Sequence, residues 1–155
     1  MWNRKRSVKL SLGVCFTVGV ILTAGLFAGP WAVKMWFSVY RGWNEQSVAM
    51  DRMLNLFKMC FYPCVALGYV ALYSLIRLLF NIRNDTIFIL QNVRYLRRIS
   101  WCCVAVSVIT LFAGILYIPY LFISVAAGFV GLMLRVVKNV MENAVQLKEE
   151  NELTI

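Results

Sequence analysis

From Ile99 to Leu134 the chain runs for 36 residues without a charged side chain. As a single helix, at ~1.5 Å per residue, this stretch would be about 54 Å long. A bilayer's hydrocarbon core is only ~30 Å thick, so one crossing cannot use that length and a helical hairpin is expected. Its break is expected at Tyr117-Ile118-Pro119-Tyr120, where a proline and two tyrosines suit a turn at a membrane interface. Two full crossings need ~20 residues each. The second arm is therefore expected to continue past Arg135 and Lys138 through Val136, Val137 and Val140, with the two basic side chains snorkelling to the head groups.

Two further charge-free runs precede the hairpin, Leu10–Val33 with 24 residues and Met59–Ile76 with 18. The first follows the basic group Arg4, Lys5, Arg6 and Lys9, which could also introduce a signal peptide. A signal-peptide core is only ~7–15 residues, so a first transmembrane helix is expected instead. Over the whole chain 61% of residues are hydrophobic and 15% charged, with mean hydropathy +0.72. Soluble domains carry about 25% charge. The net charge of +9 does not point to nucleic acid, because the cations flank the apolar runs as topology determinants do.

The expected fold is all-α: one membrane domain over residues 1–155, built as a four-transmembrane-helix bundle. Its crossings are expected at about 10–33, 59–77, 99–117 and 120–141, with a connector at 34–58 and a tail at 142–155. Lys and Arg number twelve around the two ends and the central 77–98 segment, against four in the first connection. The positive-inside rule then places both termini and the central segment in the cytoplasm. Trp31, Trp36, Tyr40 and Trp43 cluster near the first connection, as aromatic rings do at a membrane surface. Val48, Met50, Met53, Leu54 and Phe57 suggest an amphipathic lead-in to the second helix. Pro63 is expected either to kink that helix or to start its regular part.

The chain has no histidine, which excludes histidine-dependent zinc proteases and serine–histidine dyads. No Asp or Glu lies in the expected crossings, which argues against an intramembrane aspartyl enzyme and against proton-coupled transport. Cys15, Cys60, Cys64, Cys102 and Cys103 all fall inside apolar runs and read as small hydrophobes. No catalytic, metal or cofactor residue is expected. Gly25 and Gly29 form a GxxxG pair that lets a second backbone approach, either within the bundle or from another copy of the chain.

In the central segment Ile89, Leu90, Val93, Leu96 and Ile99 share a helical face, while Gln91, Asn92, Arg94, Arg97 and Arg98 lie largely on the others. This pattern predicts a short amphipathic helix lying on the inner membrane surface, between the second and third crossings. At the other end of the chain, Val137, Val140, Met141, Ala144 and Leu147 are expected to continue an apolar face. Glu142, Lys148, Glu149, Glu150 and Glu152 would be solvated, and the acidic end would pair weakly with Arg94, Arg97 and Arg98.

Phe88, Gln91-Asn92-Val93-Arg94, Leu96-Arg97 and Ile99-Ser100-Trp101 resemble the signature of the bacterial domain-of-unknown-function family 2975. The ending Leu147-Lys148-Glu149-Glu150-Asn151-Glu152-Leu153-Thr154-Ile155 resembles that family's closing pattern. Four hydrophobic segments in matching positions extend the likeness along the chain. Ile87, Ile89 and Gln91 depart from it, standing where the family has Pro, Thr and Glu, so Asp85 or Thr86 is expected to cap the helix start. The resemblance implies a membrane partner for a small helix-turn-helix regulator. Phe88, Asn92, Arg94, Arg97, Arg98, Glu149, Glu150, Asn151, Leu153 and Ile155 would then form its docking face, with the tail competing with DNA for the regulator. Direct nucleic-acid binding by this chain is not expected. Immunity to a membrane-active peptide and facilitated passage of an apolar solute are the alternatives.

Overall fold

The computed structural model describes residues 4–41, 48–84, 89–116 and 118–153, with the backbone alone for 4–8, 37, 40–41, 49–50, 116 and 152–153. Four helices follow one another: α1 (Arg4–Arg41), α2 (Val48–Arg83), α3 (Leu90–Leu116) and α4 (Pro119–Leu153). Each contains a stretch long and apolar enough to cross a membrane. The charge-free hairpin divides with α3 ending at Leu116 and α4 beginning at Pro119. Proline suits that first helical position because its missing N–H would have had no partner there.

Neighbouring helices run antiparallel and pack in chain order, α1 on α2, α2 on α3 and α3 on α4. Among the described residues α1 packs directly on α2 alone. Their seam is set by small residues. Gly19 faces Leu72, Gly68 faces Leu22, and a Cβ on Gly29 would sit 3.1 Å from the Phe61 ring. Gly25 does not join this seam, since a Cβ there would meet nothing within 4 Å. The GxxxG pair is thus split, Gly29 packing within the chain and Gly25 facing outwards.

Helix α3 is the middle of the row. Val93, Leu96, Ile99, Cys102 and Ala113 are buried along it. Among the described residues no separate amphipathic helix stands before the third crossing: Leu90 to Leu116 is one unbroken helix. Val93, Leu96 and Ile99 do share a buried stripe, but it packs inside the protein, while Leu90 is half exposed. Between Gln91 and Trp101 stands no Gly or Pro, so nothing separates a surface helix from a crossing.

The α3–α4 seam is the closest. Ser107 and Ser124 bond across it, and Ser100 donates to the Gly131 carbonyl at 2.8 Å. Cβ atoms on Gly128 and Gly131 would stand 2.9 Å from Ser107 Oγ and 3.1 Å from Val104 Cγ2. Many outward-facing side chains are large and apolar. Phe16, Phe27, Ile115 and Phe122 are each at least 74% exposed. Water would penalise such a surface and a hydrocarbon surround does not.

Candidate functional site at the terminal end

The antiparallel row brings both helical ends, Arg4 and Leu153, to the end that also holds the α2–α3 connection. The helices there are locked by polar contacts. Asn92 is fully buried and its Oδ1 accepts from Asn81 Nδ2 at 2.7 Å, joining α2 to α3. Between α3 and α4, Arg97 donates to Glu142 at 3.2 Å. Glu142 also holds the ammonium of Lys138 at 2.6 Å, one helical turn before it. The Lys138 contact, with the nearby Arg97 charge, holds the Glu142 carboxyl below the usual carboxylate range. Arg135 lies over the Trp101 ring, 5.1 Å from its centroid.

These contacts fix a common height. Arg77 is four residues inward from Asn81 and Arg97 five inward from Asn92, while Arg135 lies four beyond Gly131, the partner of Ser100. Arg77, Arg97 and Arg135 therefore form a basic belt across three helices. On α2 the opposite flank is Lys58, nineteen residues before Arg77. At ~1.5 Å per residue the interval is about 29 Å, the thickness of a hydrocarbon core.

Beyond the belt the helices differ in reach. Residue by residue past the Ser100–Gly131 contact, Leu90 on α3 is matched by Met141 on α4. Helix α4 runs on to Leu153, about 27 Å beyond Arg135 at ~1.5 Å per residue. Among the residues expected to form the docking face, Arg94, Arg97, Arg98, Glu149, Glu150 and Asn151 are exposed at this end. Asn92 is not, since it is buried as a helix-to-helix bond. Phe88 and Ile155 lie outside the described residues, as do Asp85 and Thr86, and for Leu153 only the backbone is described.

Two expectations for the tail need correction. The carboxylate that reaches Arg97 is Glu142, and not Glu149 of the acidic end. The buried side of α4 there is centred on Val145, whereas Val137, Val140 and Leu147 are exposed. Lys138 and Glu142 at i and i+4 were a visible pair, but the register that brings Arg97 to them is set by glycines and serines deep in the seam.

At the opposite end lies an apolar cavity of 570 Å³ to which all four helices contribute, among them Val33 and Trp36 of α1, Phe57 and Cys60 of α2, Ala113 of α3 and Tyr120 of α4. Charge patterning could not reveal it, because its walls are indistinguishable in sequence from lipid-facing positions.

A row of four antiparallel apolar helices, with cations at its flanks and large apolar side chains exposed between them, defines a multi-pass membrane protein. The sequence pattern of the family described as "Protein of unknown function (DUF2975)" matches residues 38–155, and the chain belongs to that family. The match takes in the last turn of α1 and all of α2, α3 and α4. No curated protein and no solved structure matches the chain.

Proposed function

We propose that this is a non-enzymatic protein of the bacterial plasma membrane that docks a cytoplasmic helix-turn-helix transcription factor on its terminal end. The observation that carries the reading is the reach of α4, whose last turns pass the ends of α2 and α3 and offer Glu149, Glu150 and Asn151 beyond the bilayer. Arg94 and Arg98 at the start of α3 supply a basic counterpart on the same end. The excess of Lys and Arg around that end favours the cytoplasmic side. The regulator itself is suggested by the family resemblance. A non-enzymatic role is supported by the lack of histidine and of any carboxylate within the spans.

Affinity capture of the tagged protein from native membranes in mild detergent tests this reading, with a chain lacking residues 149–155 as control. A helix-turn-helix protein recovered with the full chain and lost with the tail supports it. Equal recovery from both chains, or none from either, overturns it. The apolar cavity at the far end favours a second reading, reception of an apolar solute or a hydrophobic peptide there. Filling it with Ala113→Trp would abolish binding of such a ligand and leave regulator capture unchanged.

A further inference from the structure

We infer that the recess between α3 and α4 at Arg97, Arg135 and Lys138 binds the phosphate of an anionic phospholipid. The recess has a volume of 140 Å³ and is lined by Arg97, Ser100, Trp101, Arg135, Lys138 and Asn139. That is several times the ~10–15 Å³ one water requires, and leaves room for a phosphate group. Three of its six residues are cations. Glu142 engages Lys138 and Arg97, so the cluster keeps two net positive charges. Arg135 forms no ion pair among the described residues and rests on Trp101 instead. The Ser100 hydroxyl is committed to the Gly131 carbonyl. Guanidinium and ammonium groups only donate, so the recess selects a group rich in acceptor oxygens and negative charge.

Position decides that the phosphate belongs to a lipid. The charge-free run begins at Ile99 on α3 and ends at Leu134 on α4, so the recess straddles the boundary between head groups and hydrocarbon. Trp101 is 58% exposed at that level, where indole rings favour the interface. On the membrane side, exposed apolar residues descend from the recess in register, Val108 and Phe112 below Trp101 and Leu132 and Val125 below Arg135. A phosphate held by Arg135 therefore has a surface for its acyl chains directly beneath it. Basic recesses between transmembrane helices recognise anionic head groups in this way.

Native mass spectrometry of the detergent-purified chain, with phosphatidylglycerol and phosphatidylcholine added in turn, tests the proposal. The intact chain should retain phosphatidylglycerol in preference, and Arg135→Gln should weaken that retention about five- to tenfold. Arg83→Gln, which removes an exposed cation of α2 outside the recess, should leave it unchanged. Inorganic phosphate at millimolar concentration should not displace the lipid. A photoreactive phosphatidylglycerol on the unsubstituted chain should label the peptides carrying Trp101 or Arg135, which decides the matter even if a variant fails to fold. Equal retention of phosphatidylcholine, unaltered binding by Arg135→Gln, displacement by free phosphate, or labelling elsewhere would each overturn it.

Discussion

Ser107 and Ser124 each donate a hydroxyl to the other's backbone carbonyl, both at 2.8 Å, across the α3–α4 seam. The exchange is reciprocal and lies in the middle of the hairpin, where no water competes for either group. Gly128 makes it feasible, since a Cβ there would stand 2.9 Å from Ser107 Oγ. Polar contacts of this kind in membrane proteins are worth about 0.6 kcal/mol on average and ~1.7 at most. A double-mutant cycle of Ser107→Ala and Ser124→Ala should return a coupling in that range, measured by reversible unfolding in mixed micelles. Additive losses would show that the pair does not act as a unit.

Gly131 and Gly25 should respond in opposite ways to a larger side chain. A Cβ on Gly131 meets Val104 Cγ2 at 3.1 Å, Cys103 Cβ at 3.3 Å and the Ser100 carbonyl at 3.4 Å. Gly131→Leu should force the hairpin apart at a cost of about 1–3 kcal/mol. Gly25→Leu, projecting into open space, should stay within about 0.5 kcal/mol of the parent. A comparable loss at Gly25 would instead reveal a second copy of the chain packed there.

Asn92 gives α2 and α3 their fixed register. It is fully buried, and its carbonyl oxygen accepts from Asn81. Asn92→Leu would fit an apolar side chain but leave the Asn81 amide without that acceptor, which should cost about 1–3 kcal/mol. Replacing both asparagines by leucine should recover part of the loss. The same unfolding assay reads both variants.

Glu142 makes the α3–α4 contact sensitive to acid. Its carboxyl is held below its ordinary value of 4.5 by the Lys138 contact and the Arg97 charge. A carboxylate with a depressed folded value contributes stability that is fully present above the unfolded value and is lost as pH falls through the folded one. Thermal melting in detergent should therefore show an apparent Tm that drops as pH is lowered from 4.5 through the folded value. Glu142→Gln should lower the Tm at pH 7 and flatten that part of the profile. An unchanged acid response in the variant would assign it to other carboxylates.

The four long apolar helices and the break between α3 and α4 were legible because a lack of charge over a membrane thickness admits few structures. The role of Val93, Leu96 and Ile99 was half legible. Their spacing marks one buried face, but a helix resting on lipid and a helix packed between neighbours require the same spacing, so the continuous α3 was not foreseen. Which carboxylate meets Arg97 was not legible. The register that selects Glu142 over Glu149 comes from contacts such as Ser100 with Gly131, and small residues carry little periodic signal. The apolar cavity is invisible for a related reason, since hydrophobic residues line both voids and lipid-facing surfaces in a membrane protein.

Helix α4 has no break between Pro119, which lines the apolar cavity, and Leu153 at the far end. About 24 Å of it lies on one side of Arg135 and about 27 Å on the other, at ~1.5 Å per residue. Such a rod is a lever with nearly equal arms and its fulcrum at the membrane surface. A tilt of about 10°, within the ordinary range for transmembrane helices, would swing its tip by about 5 Å. Whatever wedges or empties the cavity at one end is thus mechanically connected to the charged tip at the other, with no loop between them to absorb the motion. Spin labels at Tyr120 and Asn151 would read that swing as correlated displacement, and independent motion of the two would show the rod to be jointed.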